Sequence, residues 1–117
     1  LLGNVDNINK MILSFDLLLL TSKSEGLPNV LIESMASGIG CISTNVGDVK
    51  KILDNNYICE IGDYKGICKA SIKYLRSFED SKKKIIKKNM KKISSDYNIL
   101  NISKQYENIY RELIVNA

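Results

Sequence analysis

Glu25 and Glu33 lie eight positions apart in the stretch Ser24-Glu25-Gly26-Leu27-Pro28-Asn29-Val30-Leu31-Ile32-Glu33. An ionised carboxylate only accepts hydrogen bonds, so it suits a ligand rich in donors, such as a vicinal diol. Between the two carboxylates, Gly26-Leu27-Pro28-Asn29 reads as a turn that leads into a helix. Pro28 suits the first helical position, where its missing N–H costs nothing. The amides of Asn29, Val30 and Leu31 would then point back at the loop. Together with the helix dipole they would make a site for an anion such as phosphate. Gly26 has no Cβ, so a ligand could approach its backbone closely. Asn29, Glu33 and Ser37 share one helical stripe. Glu33 is thereby placed about 7 Å from the helix start at ~1.5 Å of rise per residue. Carboxylates on both sides of an anion hole match a ligand with hydroxyls at its ends and phosphate between them. A nucleotide sugar has that layout: ribose, diphosphate, hexose. The competing reading is a solvent-facing Glu stripe behind ordinary helix punctuation.

Such groups need a rigid frame, and the hydrophobic pattern supplies one. Residues 16–21 read as a strand apolar on both faces, as in a parallel sheet covered by helices. Cys41-Ile42-Ser43-Thr44 and residues 57–61 read as two further strands, and Leu1-Leu2-Gly3 as the end of an earlier one. Residues 4–7 read as a turn, and Ile8, Met11, Ile12 and Phe15 as a helical stripe. The helix from Pro28 to about Ser37 can stop at Gly38 in a left-handed conformation. Asp48 is a candidate cap for a short helix through Leu53. Gly62-Asp63 opens a helix to about Arg76, followed by helices over residues 79–95 and 99–115. Strands alternating with helices predict an α/β chain. The expected architecture is a partial, doubly wound, Rossmann-like parallel sheet with helices on both faces and two C-terminal helices. Ligands of such sheets bind at the carboxyl ends of the strands, which is where the 21–28 loop falls.

The bulk composition narrows the function classes. At 117 residues with 44% hydrophobic and 26% charged residues, the chain is one domain or part of one. Its first residue is Leu, so it reads as a piece of something longer. No apolar run reaches the roughly 18 residues of a membrane span, and no signal peptide is evident. Histidine is absent, which excludes a His base or ligand within the chain. Cys41, Cys59 and Cys68 show neither zinc-site spacing nor a disulfide framework. They read as free thiols in a reducing cytoplasm. The net charge of +4 is local in origin: seven lysines crowd into residues 82–92, and without them the chain carries −3. Ile86, Met90, Ile93 and Tyr97 form an apolar stripe on that segment, with the lysines expected mostly opposite. One reading of Lys82–Lys92 is a solvated helix face. The other is contact with an anionic membrane surface. Nucleic acid is disfavoured because no aromatics interleave with the lysines.

Residues 25–38, EGLPNVLIESMASG, resemble the E-x7-E signature of the family 4 retaining glycosyltransferases. Leu2-Gly3, the 16–21 strand, Cys41-Ile42-Ser43-Thr44-Asn45-Val46-Gly47 and Tyr106-Glu107-Asn108-Ile109-Tyr110 follow in the family's order, so the resemblance covers nearly the whole chain. It implies the GT-B fold, with residues 1–117 as the distal part of its nucleotide-sugar-binding C-terminal domain. Under it, Glu25 is the catalytic-site residue and positions the donor sugar. Gly26, Leu27, Pro28, Asn29, Val30 and Leu31 line the sugar and diphosphate, and Glu33 binds the ribose. The implied reaction is transfer of a hexose from a nucleoside diphosphate sugar to a saccharide or lipid-linked acceptor, with retention. Metal is not required, in keeping with the absence of an Asp-x-Asp motif, and no other cofactor is implied. The family's basic pair and its acceptor-binding N-terminal domain lie upstream of Leu1, so this piece alone is expected to be inactive. The implied setting is cytoplasmic, at the inner face of the membrane, in assembly of bacterial surface polysaccharides such as capsule or lipopolysaccharide. Two departures stand out. Gly38-Ile39-Gly40-Cys41 replaces the usual Gly-x-Pro-Val, which predicts a looser entry to the strand. Gly47-Asp48 replaces a frequent Gly-Gly. A sugar-nucleotide epimerase on the related scaffold and a non-catalytic binding module remain the alternatives.

Overall fold

The computed structural model describes Gly3 and residues 6–115, so the expected strand end at Leu1-Leu2 lies outside the described residues. The described elements are α1 (Ile8–Ile12), β1 (Leu17–Leu20), α2 (Asn29–Ala36), β2 (Gly40–Thr44), α3 (Val49–Ile52), β3 (Ile58–Cys59), α4 (Tyr64–Leu75), α5 (Glu79–Asp96) and α6 (Ile99–Val115). The three strands form one parallel sheet in the order β1-β2-β3. Leu17 pairs with Gly40, Leu20 with Ser43, and Thr44 with Cys59. The expected α/β architecture is therefore present.

Every residue of β2 is buried, so both faces of this central strand must be covered. Cys41 belongs to the main core with Leu31 and Met35 of α2, Val49 and Ile52 of α3, and Ile93 of α5. Its neighbour Gly40 points the opposite way by the strand's alternation and meets the Tyr74 ring of α4. Helices α2, α3 and α5 thus cover one face, and α4 covers the other. A Cβ on Gly40 would sit 2.2 Å from the Tyr74 ring carbon and hydroxyl. Gly40 is consequently not a loose strand entry, as the sequence suggested. It is the only residue type small enough to let Tyr74 lie on the strand.

Other boundaries shift for local reasons. Helix α2 ends as expected at Gly38, whose φ of +79° lets Ile39 N–H reach Ser34 O at 2.9 Å and Gly38 N–H reach Met35 O at 3.2 Å. Strand β1 was expected to be covered on both faces, yet Leu19 is 46% exposed. Among the described residues β1 pairs with β2 alone, and α4 lies against β2, so Leu19 is left partly open. Helix α1 stops at Ile12, its one buried residue, with Leu13 exposed. Strand β3 is two residues long: before it Asn55–Tyr57 form a 3-10 turn, which Asp54 caps by accepting from Asn56 N–H, and after it Asp63 N–H closes a turn on Glu60 O at 3.0 Å. Asp48 occupies the cap position of α3, but its side chain makes no cap hydrogen bond and pairs with Lys51 at 2.8 Å instead.

Gly40→Ala is expected to lower stability by roughly 1–3 kcal/mol through overpacking. In a Tyr74→Leu background the same substitution should cost less than half as much, as read by urea unfolding. The thiols give a second test. Cys68 is exposed, Cys59 half-buried and Cys41 buried. Burial pushes the Cys41 thiol up to about 12 from 9.0. A thiol-specific reagent should therefore titrate Cys68 first and reach Cys41 only on unfolding. The unfolded chain ionises Cys41 earlier than the folded one does. Stability held by the neutral thiol is thus intact below pH 9.0 and falls as pH rises toward about 12.

Candidate functional site

Three loops meet at the carboxyl edge of the sheet: 21–28 after β1, 45–48 after β2 and 60–63 after β3. The first carries Glu25 and is held from two directions. Thr44, at the end of β2 and 2% exposed, donates its hydroxyl to the Ser22 carbonyl at 2.6 Å. Ser22 in turn donates its own hydroxyl to Glu25 Oε1 at 2.7 Å. From the side, Asp48 N–H donates to the Gly26 carbonyl at 3.0 Å. Gly47 makes that approach possible. Its φ is +48°, and a Cβ there would lie 2.0 Å from the Gly26 oxygen and 2.4 Å from that of Glu25. The backbone of Glu25-Gly26 therefore rests directly on the β2–α3 turn.

The loop delivers the chain into α2 one residue later than the sequence suggested. Pro28 has φ −75° and ψ 98° and occupies the cap position, so the first helical residue is Asn29. The Pro28 carbonyl accepts from Leu31 N–H at 3.1 Å and Ile32 N–H at 3.4 Å. Leu31 is thereby removed from the expected set of free donors, and its side chain is fully buried in the core. The amides left without an acceptor among the described residues are those of Asn29 and Val30. With the helix starting at Asn29, Glu33 lies about 6 Å along its axis. No acidic residue lies in the first turn of α2. The positive end of its dipole is thus uncompensated by its own side chains. Nearby Asp48 is paired with Lys51.

Glu25, Gly26, Leu27, Asn29 and Glu33 are all exposed around this helix start, while Pro28 is buried beneath it. Among the described residues no three His, Cys, Asp or Glu side chains converge in a way that could hold a metal ion. The arrangement offers two free amides and a helix terminus to an anion, with acceptor carboxylates on the preceding loop and the following helical turn. Sequence reasoning missed Ser22, Thr44 and Gly47 as supports. Ser22 stands three residues before Glu25, close enough in the loop for its hydroxyl to reach the carboxylate. The Gly47-Asp48 pair carried the other signal, a glycine where a backbone must pass closely. Thr44 offered no signal, because its partner lies 22 residues away.

Gly47→Ala should force the Glu25-Gly26 backbone off the β2–α3 turn. Expected are amide NMR shifts at Gly26 and Asp48, about tenfold faster hydrogen exchange at Asp48 N–H, and roughly 1–3 kcal/mol lower stability. Unchanged spectra around Gly26 would show that the turn does not hold the loop.

The family described as "Glycosyl transferases group 1" matches residues 1–77. N-acetyl-alpha-D-glucosaminyl L-malate synthase of Bacillus anthracis is 32% identical over 116 residues, covering 97% of this chain and 30% of that protein. UDP-Gal:alpha-D-GlcNAc-diphosphoundecaprenol alpha-1,3-galactosyltransferase of Escherichia coli is 26% identical over 120 residues, covering 99% of this chain and 30% of that protein. The chain thus spans about a third of the length of these curated relatives. With a family match over most of its length and a relative above 30% identity, the chain belongs to the group 1 glycosyl transferases.

Proposed function

We propose that residues 1–117 form the distal part of the donor-binding domain of a retaining hexosyltransferase, acting on a nucleoside diphosphate sugar. The carrying observation is the pair of free amides at Asn29 and Val30, at a dipole-positive helix start, between exposed Glu25 and Glu33. In this reading Asn29 and Val30 bind the diphosphate, with the exposed backbone of Gly26 and Leu27 beside it. Pro28 sets the direction of the helix start. Glu33 accepts from the ribose hydroxyls, and Glu25, oriented by Ser22, accepts from hydroxyls of the hexose. Leu31 acts from beneath, as the core anchor of the helix.

The chemistry follows from where charge develops. As the glycosidic bond breaks, negative charge grows on the departing β-phosphate. Amides already aimed at that position stabilise it without reorganising. The site supplies this with fixed dipoles, so we assign it no metal. Glu25 positions the sugar and does not attack it, because a covalent route of the glycosidase kind pairs its nucleophile with an acid. Both relatives' names specify an alpha linkage, the outcome that retention gives from an alpha-linked donor. Uridine is the base we favour, since the galactosyltransferase is named for UDP-Gal. The acceptor is a saccharide or a lipid-linked saccharide, bound by a further domain beyond these residues. The setting is cytoplasmic assembly of a bacterial surface glycan, at the inner face of the membrane. Support for the lipid-linked case comes from the diphosphoundecaprenol in that relative's name.

An amide NMR titration with UDP, GDP and their hexose conjugates tests the assignment. UDP should shift Gly26 through Val30 and leave Leu31 less affected. Glu33→Ala should weaken UDP by about 10- to 150-fold, the loss of charge-assisted hydrogen bonds worth ~1.5–3 kcal/mol. Glu25→Ala should weaken UDP-hexose more than UDP. Shifts confined to other loops, or equal affinity in Glu33→Ala, would overturn it.

A further inference from the structure

The lysine-rich helix α5 is not a uniform solvated face. Lys82 pairs with Glu79 at 3.0 Å and Lys88 with Asp54 at 2.9 Å. Lys83, Lys84, Lys87, Lys91 and Lys92 have no ion pair among the described residues. Three of these, Lys83, Lys87 and Lys91, recur every fourth residue and so share one flank of the helix. That flank borders a groove of about 630 Å³ between α5 and the end of α2. Its apolar surface comes from Ala36, Ile86, Met90 and Ile93. Met90 is 43% exposed and Ala36 is exposed as well. Three of the seven lysines therefore stand beside the apolar side chains and not opposite them.

We propose that this groove docks the chain on an anionic lipid bilayer. The argument is one of matched chemistry and rests independently of the nucleotide-sugar reading. A bilayer surface places phosphates directly above hydrocarbon. Lysines can lay their stems along an apolar floor while their ammonium groups stay among the phosphates. A purely soluble polyanion would gain nothing from Met90 and Ile86. Nucleic acid would want stacking aromatics, and no aromatic residue lines this groove. None of the helices among the described residues is long and apolar enough to cross a membrane, so the contact is peripheral.

Co-sedimentation with phosphatidylglycerol–phosphatidylcholine vesicles tests this, with pure phosphatidylcholine vesicles for comparison. The chain should bind the anionic vesicles and release as salt rises. Combined Lys83→Gln, Lys87→Gln and Lys91→Gln should weaken binding by about 100-fold, at the scale of a surface lysine's attraction. Met90→Asp should weaken it too. Combined Lys65→Gln, Lys69→Gln and Lys73→Gln on α4 removes the same charge elsewhere and should have a several-fold effect at most. All the substituted positions are exposed, so circular dichroism should show intact folds. Equal losses in the two triple variants would overturn the proposal in favour of net charge alone. Equal binding to phosphatidylcholine would overturn the role given to the lysines, and no binding would reject the proposal outright.

Discussion

A central strand buried along its whole length leaves no residue free to face water, and β2 is such a strand. Each of its side chains must be matched to a partner on one face or the other. Cys41 fills space within the α2–α3–α5 core, and Gly40 leaves space for Tyr74. Helix α4 can sit where it does only because that one Cβ is missing. Tyr74 in turn meets Tyr57 edge to face, with ring centres 6.3 Å apart. Packing around β2 therefore ties α4 to the turn before β3. Strand β1 pairs on one side only among the described residues, and Leu19 on it is exposed.

Polar groups at the far end of the same strand convert packing into site geometry. Thr44 is buried, so its hydroxyl must find an acceptor, and it finds the Ser22 carbonyl. That bond fixes the start of the loop, Ser22 fixes Glu25, and the β2–α3 turn fixes Gly26. The loop is consequently defined by neighbours that never need to touch a ligand. Free amides at Asn29 and Val30 then stand at the end of a helix whose own core residues, Leu31 and Met35, are fully buried. Rigid support of this kind is what makes backbone dipoles effective toward developing charge.

Most of this frame was legible from residue order. Short apolar runs and helical patterns located the three described strands and the long helices, and Gly38 marked the helix end through its left-handed φ. The Glu25–Glu33 arrangement stood out because carboxylates, proline and glycine each have narrow physical roles. Three features were not legible, for different reasons. Pro28 fits both the cap and the first helical position, and only the observed ψ of 98° decides between them. Gly40 looked permissive because its partner, Tyr74, is remote in sequence. Asp48 has the right chemistry for a cap, but Lys51 is in reach and takes the carboxylate. Long-range partners, as with Thr44 and Ser22, leave no mark in a local pattern.

Helix α2 joins the two surfaces that matter. Its first residues face the carboxyl-edge loops, and its last, Ala36, lies in the lysine groove. Eight residues at ~1.5 Å each separate those ends by about 12 Å. The Schellman turn at Gly38 also serves both, since Ile86 Cγ2 and Met90 Sδ approach to within 3.6 Å of where a Cβ would stand. The packing that closes the helix thus also forms the apolar floor of the groove. A bilayer held at that groove would contact the end of α2 away from the amides. The mouth formed by Gly26, Leu27 and Asn29 would then stay clear of the headgroups. That orientation would leave the carboxyl-edge loops open to solvent.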